Sequence, residues 1–264
     1  MQTVTDLACE LLRRTPHQTA GLKTTTTRQA GVLVQTTTIT TTAVAHAIGK
    51  PIGIYLNLDT TDAKPRHIAR VLHQAVAPLI TKRDKILIVG LGNDKFVADS
   101  LGPRVLEQIK TGARMVTFQP CVFGVTGIDS VQAIQAMTRL VRPSAVIVID
   151  SLVSASPTRI GTNYQICTSG ITPGSGLGRD RRTINRRLLG VPVIAIGVPV
   201  CTVMTLPQNK IYHVVPKDID MVIRDCATLI ARSINTLVSQ SRYGVTRPWL
   251  SGVYQRHSSS YPYG

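Results

Sequence analysis

The chain predicts an α/β fold, and three observations carry that expectation. Two short apolar runs, Lys85-Ile-Leu-Ile-Val-Gly90 and Ala145-Val-Ile-Val-Ile149, have the unbroken hydrophobicity of strands buried on both faces, as in a parallel sheet. From Pro65 onward such runs alternate with segments of helical periodicity, the pattern of strand–helix units. With 43% hydrophobic and only 17% charged residues over 264 positions, the chain is folded rather than disordered. Aromatic residues are just 4%, so the core must be aliphatic.

The amino-terminal third is rich in threonine, Lys23 to Thr42 reading KTTTTRQAGVLVQTTTITTT. Val32, Val34 and Ile39 within it favour a strand from Gly31 to Thr41 over a low-complexity coil, and a turn at Gly49-Lys50-Pro51 leads to a second strand, Ile52 to Asp59. Pro65 to Ile80 carries apolar residues at helical spacing, and Pro65 suits a first helical turn. Strand 85–91 follows, then a helix from about Ser100 to Lys110, strand 114–119, helix 128–141 and strand 144–150. A glycine-rich excursion, Gly161 to Gly190, holds a strand at Asn163 to Cys167 and leads into strand 191–197. Pro216 to Val238 is a long helix with an apolar stripe that includes Ile219, Ile223, Cys226, Ile230 and Ile234. Composition then shifts to Tyr, Ser, Arg, Gly and Pro, which divides the chain into one α/β domain over 1–240 and a surface-hugging or mobile extension over 241–264.

A formal net charge of +16 favours acidic partners, whether nucleic acid, anionic membrane or acidic peptide. The densest cluster is Arg179, Arg181, Arg182, Arg186 and Arg187, but no RNA-recognition motif, zinc finger or basic zipper accompanies it, so nucleic acid is a secondary expectation. Five scattered cysteines without a C-x-x-C pair fit a reducing compartment and neither a disulfide framework nor a zinc site. The six histidines show no paired ligand spacing, so no metal is expected. No apolar run reaches membrane-spanning length and MQTVTDLACELLRR lacks a signal-peptide layout, which predicts a cytoplasmic protein with no membrane association.

Two aspartates stand where chemistry is expected. Asp99 in GLGNDKFVADSLGP and Asp150 in SAVIVIDS follow the buried strands, and loops at the carboxyl ends of such strands converge on one crevice. Paired carboxylates suit acid/base work or a metal site; both positions equally suit strand ends and helix caps, and position alone leaves this open. Asp99 at a helix start is stabilised as the anion by free N–H groups and the dipole. Asp150 emerges from an apolar strand, where desolvation disfavours the charged form. If the two lie close together they share a proton, Asp99 being the ionised partner that orients water and Asp150 the protonated one.

Other motifs are weaker. Gly90-Leu-Gly-Asn93 lets the chain turn sharply, but Lys95 stands where the third glycine of a dinucleotide fingerprint belongs, and a Walker lysine is absent. GITPGSGLG at Gly170 to Gly178, followed by RDRRTINRR, reads either as an anion cradle or as a solvated loop. Ser175 lies outside any G-x-S-x-G elbow, so a serine triad is not expected.

Taken together, ordered segments along the chain resemble the spore germination protease family. They are Thr5-Asp6-Leu7-Ala8, Ala47-Ile-Gly-Lys-Pro-Ile-Gly53, GLGN-x5-D-x-LGP at Gly90 to Pro103, and VFGVTGI at Val122 to Ile128. They continue with VIVIDS at Val146 to Ser151, GITPGSGLG, LGVPVIAIGVP at Leu189 to Pro199 and VVPKDID at Val214 to Asp220. The resemblance implies a three-layer α/β sandwich with a mostly parallel central sheet, related to hydrogenase-maturation proteases and phosphorylases, plus extra amino-terminal strands. It implies a homotetrameric endopeptidase, made as a zymogen, that degrades small acid-soluble spore proteins or similar acidic peptides during germination. It further implies catalysis by Asp99 and Asp150 on water, with no cofactor. Asn93, Gly127, Asp129, Ser151, Arg179 and Arg182, in or beside these motifs, are the substrate-binding candidates.

The chain also departs from the family pattern. Ser151 stands where the family has Ala, Asp129 where it usually has Glu, and Cys201-Thr-Val-Met204 where an Asp is common. Only Met1 to Val4 precede TDLA, which leaves little room for the family's pro-segment. These departures define an alternative, a catalytically inactive paralogue that binds DNA or an acidic protein through its arginine-rich loop. A metal-dependent maturation protease is a third reading, and it requires a further ligand, usually His, that none of the motifs supplies.

Overall fold

A computed structural model describes residues 5–12, 20–80, 85–174, 182–205 and 211–239. The expected extension over 241–264 lies outside them.

After the short helix α1 (Ala8–Leu12), the threonine tract folds as two strands, β1 (Leu22–Gln29) and β2 (Val32–Ile39), paired antiparallel. Ala30 and Gly31 between them have φ of 50° and 87°, the paired positive values of a two-residue hairpin turn. Sequence pattern alone suggests only the inner strand, because β1 is largely exposed and its run of threonines has no apolar alternation. Helix α2 (Thr42–Ile48), started by the Thr41 side chain accepting from the Val44 N–H, leads to β3 (Gly53–Asp59). Helix α3 (Pro65–Val76) opens on its proline as expected.

The strand–helix alternation follows with β4 (Ile86–Gly90), α4 (Leu101–Leu106), β5 (Met115–Phe118), α5 (Phe123–Thr126), α6 (Ser130–Val141) and β6 (Ala145–Ser154). Then come β7 (Asn163–Cys167), α7 (Arg186–Leu189), β8 (Val193–Thr205), β9 (Ile211–Val214) and α8 (Ile219–Ser239).

All these strands join one sheet in the order β1-β2-β3-β7-β8-β6-β4-β5, with β9 added to β8. Parallel pairing is confined to β5, β4, β6 and β8; every other neighbour, from β8 through β7 to β1, is antiparallel. The expected parallel sheet is therefore the half that carries the strand–helix units. The direction reverses at β7 because the link 155–162 from β6 contains only a single 3-10 turn, Pro157–Arg159, too short for the helical crossover a parallel connection needs.

Strand alternation sorts the core into layers. Ile86, Ile88, Ile147, Ile149, Ile194 and Ile196 pack on α3, α4 and α8 through Leu72, Val105, Ile223 and Ile230. Their neighbours Leu87, Val89, Val146, Val148 and Val193 face the other way, onto Val131 and Ile134 of α6. Further along that second face, Val44 and Ile48 of α2 and Leu12 of α1 cover Ile39, Tyr55, Cys167 and Ala195. Each such aliphatic side chain, wholly buried, contributes about 1.5–3 kcal/mol. Among the described residues no helix is long and apolar enough to cross a membrane.

Candidate active site

A cavity of about 860 Å³ lies between the loop after β4 and the later part of β6, and both Asp99 and Asp150 line it. Asp150 is placed by β6. The sequence suggests that it ends its strand, but β6 runs on to Ser154 because β8 continues to pair alongside, with a register shift between Leu152 and Val153. Asp150 thus lies inside the sheet, 8% exposed, opposite Gly197 of β8, and Gln165 of β7 faces Gly197 from the other side. The middle of this row has no room for a side chain, since a Cβ on Gly197 would stand 2.5 Å from Leu152 Cδ1. Asp150 Oδ1 accepts the Ser151 N–H at 2.9 Å.

Asp99 is placed by the loop that leaves β4. Gly92 has φ of 111°, and a Cβ there would meet the Asp99 carbonyl oxygen at 1.9 Å and its Oδ1 at 3.0 Å. Only glycine lets the chain fold back this closely. Asn93 then donates its N–H to the Asp99 carbonyl at 2.9 Å. Asp99 itself closes a 3-10 turn, Val97–Asp99, and is half-buried. The N-cap position of α4 falls on the next residue, Ser100, whose hydroxyl donates back to the Val97 carbonyl at 2.8 Å.

One wall comes from the amino-terminal segment, docked on the end of β6. Asp6, buried, donates its N–H to the Val153 carbonyl at 2.9 Å and accepts the Val153 N–H on Oδ2 at 2.8 Å. The Gln165 side chain grips the same segment from both ends, accepting the Ala8 N–H at 2.7 Å and donating to the Asp6 carbonyl at 3.1 Å. Lys50 Nζ also donates to the Asp6 carbonyl, at 2.9 Å. Glu10 secures the segment further with a buried ion pair to Arg159 at 3.1 Å and an accepted bond from the Ala155 N–H at 2.8 Å. The Thr5 and Ser154 hydroxyls donate to the same carboxylate.

Lys50 and Lys95 bring positive charge to the lining, and exposed Phe96 and Val97 form an apolar part of it. Burial pushes the Cys167 thiol up, and burial followed by the charge of Asp6 pushes Cys201 up to about 11. Both thiols are therefore protonated near neutrality and are poor nucleophiles. Burial likewise raises the Tyr55 hydroxyl, which donates to the Pro51 carbonyl at 2.7 Å.

Of the substrate-binding candidates, Ser151 lines the cavity, and its hydroxyl is buried without a partner. Asn93 lies behind the lining, where its Oδ1 accepts the Lys95 N–H at 3.0 Å and braces the loop. Gly127 sits in an exposed left-handed turn (φ 68°), apart from the cavity residues. Asp129 caps α6, accepting the Gln132 N–H at 3.0 Å, and pairs at 3.7 Å with the exposed Arg182; neither lines the cavity. Arg179 lies outside the described residues, as do Arg181 and Ser175. Asp6, Lys50, Gln165 and His213 line the cavity without having been singled out in the sequence. The first two fall in the TDLA and AIGKPIG motifs, whereas nothing in the sequence marks Gln165. Among the described residues no group of three or more His, Cys, Asp or Glu side chains is placed to hold a metal.

Sequence comparison gives this α/β chain its class, that of a peptidase. The profile of the family described as Germination protease matches residues 5–211. The chain is 31% identical to the Germination protease of Caldanaerobacter subterraneus subsp. tengcongensis, over 79% of this chain and 71% of that one. It is 32% identical to the Germination protease of Clostridium tetani, over 85% of this chain and 78% of that one. The chain belongs to the germination protease family. Among solved structures, the NiFe-hydrogenase maturation protease HycI from Thermococcus kodakarensis KOD1 aligns with TM-score 0.43 and 16% identity, covering 64% of this chain and 99% of that one.

Proposed function

We propose that this chain is an endopeptidase that hydrolyses small acid-soluble spore proteins during germination, with Asp99 and Asp150 acting on a water molecule. One observation carries the reading: in a chain of the germination protease family, the loop after one parallel strand and the body of the next deliver these two carboxylates to the same cavity. One carboxylate accepts a proton as water attacks the scissile carbonyl, and the other protonates the carbonyl oxygen or the leaving nitrogen. Lys50 and Lys95 in the lining favour an acidic substrate segment, as does the net charge of +16. The same reading takes the protein to work as a homotetramer in the spore cytoplasm.

Asp99→Asn and Asp150→Asn, each shown to be folded by circular dichroism, test the assignment with an acidic spore-protein peptide. Loss of one general acid or base lowers turnover by about 10²–10⁴-fold. Equal cleavage by the wild type and both variants overturns the assignment.

A further inference from the structure

The outer edge of β6 changes partner along its length. Up to Ile149 it pairs with β4, and the last bond on that side is the Leu91 N–H donated to the Ile149 carbonyl at 2.9 Å. At Val153 the partner is the amino-terminal segment, through Asp6. Main-chain groups alternate between the two edges of a strand, so Ile149, Ser151 and Val153 all present theirs on this one. Ser151 falls between the two partners. Its N–H is taken by Asp150 Oδ1, and no donor among the described residues reaches its carbonyl. The segment after β4 that would have supplied the next bond turns away, its Asn93 N–H going to the Asp99 carbonyl. The Ser151 hydroxyl, beside that carbonyl, is also buried without a partner. Asp6, Asp99, Asp150, Ser151 and Val153 line the cavity together, so this notch, unpaired among the described residues, adjoins the cavity that Asp99 and Asp150 line.

The geometry points to a main-chain docking position for the peptide substrate: an extended segment crosses the notch and donates one backbone N–H to the Ser151 carbonyl, between Leu91 and Asp6. This is strand addition limited to a single bond, because the edge is already occupied on both sides. It rests on the peptidase reading and adds to it a fixed register. Ser151 adjoins Asp150, and an extended chain advances about 3.3 Å per residue, so the anchored N–H lies within about two residues of the scissile bond. The bond ignores side chains, leaving sequence preference to the rest of the cavity.

A scan of peptide substrates tests the position, each carrying one amide replaced by an ester outside the scissile bond, so that a single N–H is lost. One replacement within two residues of the cut lowers kcat/KM about tenfold, the effect of leaving a buried carbonyl unsatisfied. In a crystal of the Asp99→Asn variant with uncleaved peptide, that same nitrogen lies within hydrogen-bond distance of the Ser151 carbonyl. A flat scan on a peptide the wild type cleaves, or a peptide seated away from Ser151, overturns the docking position and leaves the peptidase reading intact. Cleavage that does not depend on Asp99 and Asp150 overturns that reading instead.

Discussion

Gly92→Ala tests how far the placing of Asp99 depends on one missing side chain. The added Cβ would lie 1.9 Å from the Asp99 carbonyl oxygen, where real contacts do not fall below 3.0 Å, so the Asp99 main chain must retreat by about 1 Å. The backbone adds its own penalty, since φ of 111° is a region that side chains rarely tolerate, and such strain costs about 1–3 kcal/mol. A reacting group misplaced by about 1 Å loses on the order of 10²-fold in rate. Two effects should therefore separate: urea denaturation shows a loss of about 1–3 kcal/mol, and kcat/KM on an acidic spore-protein peptide falls on the order of 10²-fold under conditions where the variant stays folded. Gly190→Ala is the control, with φ of 75° but nothing within 4 Å of its added Cβ. It should lose about 1 kcal/mol of stability and none of the rate. Full activity in Gly92→Ala, or an equal loss of activity in Gly190→Ala, would refute the idea that this close approach positions Asp99.

Other perturbations follow from the same structure. Glu10→Ala removes the ion pair of the largely buried Arg159, leaving it, among the described residues, only its bond to Asn163 at 2.6 Å, and should cost about 3–5 kcal/mol in a denaturation experiment; a cost under about 1 kcal/mol, typical of exposed pairs, would contradict its buried role. Asp129→Ala removes the cap of α6 and should cost about 1 kcal/mol, and Asp129→Asn, an equally good cap, should restore most of it. Burial, the leading cause for both, holds the Cys201 and Cys226 thiols at about 11 against an ordinary 9.0. Because the unfolded chain releases these protons first, their stabilising contribution is whole below about 9 and is lost as pH rises toward 11. Denaturation midpoints should fall across that window, and iodoacetamide at pH about 8.5, close to where free thiols ionise, should reach Cys226, buried away from the cavity, only on unfolding. Alkylation of Cys226 in the native protein at the rate of a free thiol would count against this.

The parallel half of the sheet is legible in the sequence because its strands are buried on both faces and so announce themselves as unbroken apolar runs, Ile86 to Val89 and Ala145 to Ile149. The end of β6 is not, because Asp150 and Ser151 interrupt the run while β8 goes on pairing beside them. The hairpin of β1 and β2 is hidden for a different reason. Ala30 occupies a positive-φ turn position usually given to Gly, Asn or Asp, and the exposed strand beside it has no pattern to read. Asp99 reaches the cavity from the loop at a strand end, as such sheets lead one to expect, whereas Asp150 reaches it from within β6. Gln165 could not be foreseen, since its part in the wall consists of two bonds to backbone groups of a segment far away in sequence.

That long-range fastening has a kinetic meaning. The cavity wall closes only when Asp6 reaches Val153 and Ala8 reaches Gln165, pairs 147 and 157 positions apart. Contacts of such separation are slow to form because the loop they close must first surrender its entropy, whereas the β1–β2 hairpin and helix α6 are built from near neighbours. During refolding, the β1–β2 hairpin and helix α6 are expected early and the closed cavity late, with the long-range pairing of β3 and β7. On the ribosome the order is stricter still: Asp6 and Ala8 emerge before their dock and wait until β6 and β7 have been made. The chamber therefore closes only after the strands that hold its far wall are in place.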